Sequence, residues 1–141
     1  MALALQVTLN LPFDEAITQV TAALKEEGFG VATTLAMDEI FDEKLGRAYR
    51  PYQILGVCNP ALAYRALEAD SRVGLLLPCN VTVEAVEGGV RVVFVNPEEA
   101  LSIGTLASNP EVRAVAADAR RRLERVALAL ASKAPAMGGV A

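Results

Sequence analysis

Pro51-Tyr52-Gln53-Ile54-Leu55-Gly56-Val57-Cys58-Asn59-Pro60-Ala61 is the stretch on which the fold turns. Tyr52 to Val57 is a short run rich in β-forming residues, opened by Pro51 and closed by an Asn-Pro pair, and it predicts a strand. Alternation places Tyr52, Ile54, Gly56 and Cys58 on one face of that strand and Gln53, Leu55 and Val57 on the other. Asn59 can accept from the open amides of a helix start, and Pro60 has no amide to leave unsatisfied. The strand therefore feeds directly into a helix over 61–69.

Working outward, the same alternation of strands and helices recurs on both sides. Toward the amino end, Leu3, Leu5, Val7 and Leu9 alternate with Ala4, Gln6 and Thr8 and predict a half-buried strand. After Pro12, apolar residues at Phe13, Ile17, Val20, Ala23 and Leu24 have helical spacing, with Asp14 and Glu15 where the helix dipole favours acids. Gly28 ends this helix, 29–36 reads as a strand, and 38–45 reads as a short charged helix closed by Gly46. Toward the carboxyl end, 73–77 and 79–86 read as one long strand interrupted by Pro78, whose missing N–H confines it to an edge or a bulge. Glu87-Gly88-Gly89 then turns the chain into a hairpin partner over 90–95.

Asn96-Pro97 and Asn109-Pro110 repeat the helix start, and the second opens a long helix over 111–132. In that helix Val112, Val115, Ala119, Leu123, Val126 and Leu130 form the buried stripe, while Arg113, Arg120, Arg121 and Glu124 face water. The predicted fold is α+β: a single, mainly antiparallel sheet with the long helices packed on one face, forming one domain over 1–133. The order is strand, helix, strand, short helix, strand, helix, strand, strand, helix. A flexible tail is expected over 134–141, which contains Gly138-Gly139.

Composition excludes whole classes of function. A net charge of −4 with three Tyr, four Phe and no Trp leaves neither a basic footprint nor stacking platforms, so nucleic acid is not an expected partner. Met1 to Leu9 has no basic segment, no cleavage site and too short an apolar run for a signal or a span, so no membrane is expected and the expected location is the cytoplasm. In that reducing compartment the two cysteines are expected as free thiols.

Those cysteines carry the chemistry the sequence does offer. Each follows an apolar run and precedes Asn: Gly56-Val57-Cys58-Asn59-Pro60 and Leu77-Pro78-Cys79-Asn80-Val81. The candidate ligand-binding residues are Tyr52, Cys58, Asn59, Pro60, Pro78, Cys79, Asn80 and Glu84. No catalytic residue is assigned, since the chain has no His and no Ser-His, Cys-His or paired-acid machinery can be assembled. Cys58 sits before a helix start, where the dipole and open amides favour a thiolate. A metal, if any, would use Cys58 and Cys79, and a structural zinc site would need further donors such as Glu84 or a second subunit's cysteines. A redox pair needs the sulfurs close together, and similar phrases on one sheet place them within about 8 Å.

Three classes of function stay open. One is an accessory protein that binds a small ligand or metal near a two-cysteine pocket. Another is a thiol redox or sulfur-carrier protein. The last is a structural or interaction module in which the cysteines are core packing. No particular cofactor is implied. Gly28-Phe29-Gly30 precedes a strand and is no phosphate loop. Arg120-Arg121-Arg122 and the acids Asp38, Glu39, Asp42 and Glu43 read as solvated helix faces.

Glu27-Gly28-Phe29-Gly30-Val31, Pro51 to Pro60 followed by Ala63, and Leu77-Pro78-Cys79-Asn80-Val81 with Val83 together resemble the bacterial and archaeal domain-of-unknown-function family number 302. The resemblance spans roughly 3–131. It implies an α+β fold similar to the TATA-box-binding-protein-like class, a dimer and no established activity. The family's motif falls on Tyr52, Gly56, Cys58, Asn59, Pro60, Pro78, Cys79 and Asn80. A homodimer is also expected on composition, because 53% of residues are hydrophobic and the strands offer apolar side chains to both faces while the helices cover one.

Overall fold

The computed structural model describes residues 4–133 and 135–140, with side chains through 132. Strands β1 (Ala4–Leu9), β2 (Gly30–Ala36), β3 (Tyr52–Cys58), β4 (Cys79–Val86) and β5 (Gly89–Val95) form one antiparallel sheet in the order β2-β3-β4-β5-β1. Helices α1 (Phe13–Glu26), α2 (Met37–Leu45), α3 (Pro60–Ala69), α4 (Pro97–Ala100) and α5 (Pro110–Lys133) complete it. The backbone of Pro135–Val140 runs antiparallel beside β1 as a sixth strand, β6, where the sequence suggests a frayed tail. It occupies the otherwise open edge of β1, whose unpaired backbone groups form a template for a further strand. Residues 134 and 141 of that tail lie outside the described residues.

Register explains which side chains make the core. Leu55, Val81, Phe94 and Leu5 stand in one row across four strands. Gln53, Val83, Val92 and Val7 form the next. These rows face α1, α3 and α5, whose Val20, Leu24, Leu62, Val112, Leu123 and Leu130 are buried against them. The stripe read from α5 is the stripe that packs. Arg120 pairs with Glu124 one turn on, as the spacing suggests, and also with Glu98. Arg113 is not simply solvated: its guanidinium donates to the Glu98 and Leu101 carbonyls.

One predicted strand is absent. Residues 73–77 fall largely in a 3-10 turn over Ser71–Leu76, started by Asp70, whose carboxylate accepts from the Arg72 amide at 2.9 Å. Val73 alone in that segment is fully buried, while Leu75 is 85% exposed, so the apolar run follows a tight turn over the core edge instead of a pleat. Pro78, which follows a cis peptide bond, ends this turn immediately before β4.

The three Asn-Pro starts behave as expected. Asn59 Oδ1 accepts from the Leu62 amide at 3.2 Å, Asn96 Oδ1 from Glu98 at 3.0 Å, and Asn109 Oδ1 from Glu111 and Val112 at 3.1 and 3.2 Å.

The helix-free face of the sheet departs from expectation. Its rows are Tyr52-Glu84-Arg91-Thr8 and Ile54-Thr82-Val93-Gln6, so polar and aliphatic side chains are mixed. Glu84 is 8% exposed there and is held between Arg50 at 2.5 Å and Arg91 at 3.5 Å. Among the described strand residues, Leu35 is the one large apolar side chain that stands exposed.

Candidate functional site

The β3–β4 register brings the two Cys-Asn phrases together. Val57 pairs with Cys79 and Gly56 with Asn80, so Cys58 is one residue along from the position opposite Cys79. With 3.8 Å between successive Cα atoms and about 5 Å across an antiparallel pair, the two cysteine Cα atoms lie about 6 Å apart. Strict alternation would turn Cys58 to the helix-free face. However, β3 ends at Cys58 and the chain swings into α3, so Val57 and Cys58 both border the same crevice as Cys79.

That crevice is small and almost wholly apolar. Phe29, Leu62, Leu77, Leu101 and Val115 contribute its walls, and its cavity is about 30 Å³. This is the scale of one water molecule or one ion, far below the 300–1,000 Å³ or so of a pocket for an organic ligand. Both cysteines are free and partly buried. Burial pushes the Cys79 thiol from an ordinary 9.0 up to about 11, and the nearby Cys58 adds to the rise. Cys79 is therefore a protonated thiol at neutral pH, poorly suited to attack on its own.

Asn59 fixes the rim. While its oxygen caps α3, its Nδ2 donates to the Glu27 carbonyl at 3.3 Å, tying the end of α1 to the start of α3. The chain leaves α1 through Gly28 at φ +85°, with Gly28 and Phe29 amides returning to the Lys25 and Leu24 carbonyls. A Cβ on Gly28 would come within 2.8 Å of Asn59 Nδ2, so only glycine leaves room for this tie. The Glu27 carbonyl also accepts from Arg122, and its carboxylate from Arg125, which anchors the rim to α5.

Of the eight residues suggested by the sequence, Cys58, Asn59 and Cys79 meet at this crevice. Pro60 is the first residue of α3 and borders a separate open depression beside Gly28 and Gly30. Pro78 and Asn80 are exposed, and the Pro78 ring packs where a Gly56 side chain would be. Tyr52 and Glu84 pair across β3 and β4 on the helix-free face, where Glu84 is bound to arginines and Tyr52 packs edge-on to Tyr49. Those two belong to a structural ion-pair and aromatic cluster away from the thiols. Sequence reasoning missed the crevice's walls, Phe29, Leu101 and Val115 among them, because they come from segments distant along the chain. Among the described residues no group of three or more His, Cys, Asp and Glu converges in a metal-holding arrangement.

Comparison with known proteins places the chain beside a family of small domains. The model of a family described as "Domain of unknown function DUF302" matches residues 5–130. A crystal structure of an uncharacterized conserved DUF302 protein from Bacillus stearothermophilus superimposes with a TM-score of 0.80 at 30% identity, covering 89% of this chain and 96% of that one. No curated protein matches.

Proposed function

The chain belongs to the DUF302 family, and from that premise we propose that it is an accessory protein that holds a small ligand or metal ion at a site formed by Cys58 and Cys79. The observation that carries this reading is the β3–β4 register, which converts two phrases separated in sequence into two thiols on one apolar crevice. Thiols in a dry setting suit the capture of a soft, weakly hydrated species better than acid–base work. The test is thiol accounting on native protein with a small uncharged methanethiosulfonate. Because the crevice is small and the two thiols share it, modification of one cysteine is expected to block the other. Independent reaction of the two thiols, or complete inertness of both, would overturn the site.

We further place a second copy of the chain along the free edge of β2 as a homodimer. Gly30–Ala36 carries neither a charge nor a proline to deter strand pairing, and antiparallel pairing with its twin is self-complementary. The expected solution mass is twice 14.9 kDa. A mass near 14.9 kDa would refute the dimer.

A further inference from the structure

The two-thiol reading leaves the ligand open, and the crevice narrows it. We infer that Cys58 and Cys79 bind a single soft, monovalent d10 cation, of which Cu(I) is the representative, as a two-coordinate dithiolate site. This rests on the proposed two-thiol site and goes beyond it by naming the ligand's chemistry.

Size and donors point the same way. A cavity of about 30 Å³ takes an ion and excludes an organic metabolite. The donors at hand are two sulfurs, with no third His, Cys, Asp or Glu joining them among the described residues. Zinc in structural sites takes four such donors, and calcium or magnesium takes six or more oxygens. Soft thiolates select Cu(I), which is content with two. The apolar walls from Phe29, Leu62 and Leu101 keep water from completing a larger coordination shell. The anionic dithiolate so formed lies beside the start of α3, where the helix dipole is positive.

The binding step involves no electron transfer. Each ligating thiol loses its S–H bond, an S–Cu bond forms, and the proton goes to solvent while copper stays Cu(I). Binding must therefore strengthen with pH.

The experiment uses the reduced, full-length protein under anaerobic conditions, with the Cu(I)–bicinchoninate complex as both copper source and coloured competitor. One Cu(I) per chain is expected to be withdrawn from the dye, with affinity rising about tenfold per pH unit for each proton released. Cys58→Ser and Cys79→Ser should each lose the site. Wild-type protein treated with methanethiosulfonate until no further label is taken up should lose it as well, since one capped thiol is enough to remove a two-thiol site, and this covers the case of a serine variant that folds poorly. If the thiols block one another as proposed but no Cu(I) is withdrawn, the copper inference falls and the two-thiol site stands. If the thiols react independently or not at all, the site itself falls. Undiminished copper binding by either serine variant would place the ion elsewhere and overturn the inference.

Discussion

Gly56→Ala is expected to cost about 2–3 kcal/mol, the upper range for forcing atoms into a packed interior. Gly56 is buried in the middle of β3, paired with Thr33 of β2 on one side and Asn80 of β4 on the other. A Cβ there would overlap Thr33 Oγ1 and stand 2.7 Å from Pro78 Cγ. Thr33 can rotate, but the Pro78 ring has no other rotamer to offer, so the β3–β4 pair beside the cysteines must shift. With a urea slope of about 1–3 kcal/mol per molar, the midpoint should fall by about 0.7 to 3 M. Gly30→Ala is the matched control. Gly30 lies in the same sheet with nothing within 4 Å of a Cβ, and its substitution is expected to change stability by less than about 0.5 kcal/mol. Equal midpoints for the two variants would show that Gly56 is not filled from outside by Pro78.

Above neutrality, the wild-type protein is expected to lose stability that a Cys79→Ala variant retains. The folded protein holds the Cys79 proton up to about 11, while an exposed thiol releases it near 9.0. Ionisation therefore favours the unfolded chain. The contribution of the neutral thiol is intact below about pH 9 and is lost as the pH rises through about 11. At about 1.4 kcal/mol per pKa unit, the difference between the two pH profiles reaches on the order of 2–3 kcal/mol. Urea midpoints for both proteins at about pH 8 and about pH 11 measure it, and the variant's lower stability at pH 8 cancels in the comparison of slopes. Parallel profiles would mean that Cys79 is hydrated and that the crevice is not dry.

The parts of this fold legible in the sequence are those that local chemistry decides. The alternation of Leu5, Val7 and Leu9, the stripe of α5 and the three Asn-Pro caps each require only a period or a side-chain oxygen, and each appears where the spacing puts it. Residues 73–77 went against the pattern because an apolar run of that length fits a strand or a buried turn equally well. Packing of Val73 and the Asp70 cap decide for the turn. Cys58 defeated strict alternation for a related reason: the period of two holds within β3 and ends where the chain bends into α3. Alternation groups Tyr52 with Cys58, and Glu84 is the one carboxylate on the strand that starts at Cys79. Tyr52 and Glu84 do share the helix-free face, where Arg50 and Arg91 neutralise Glu84, but Cys58 leaves that face as β3 ends and Cys79 stands on the other one. The crevice walls come from β3, α3, α4 and α5 together, and no local pattern reports such a meeting.

The central claim is that Cys58 and Cys79 form one site, and arsenite tests it most directly, because it carries no organic group, one arsenic(III) bridges two neighbouring thiols firmly, and a lone thiol holds it only loosely. Native mass spectrometry followed by peptide mapping should find one arsenic per chain, bridging the peptides that contain Cys58 and Cys79, and none retained by either serine variant. Two arsenic atoms per chain, or one retained equally by Cys58→Ser, would contradict the account.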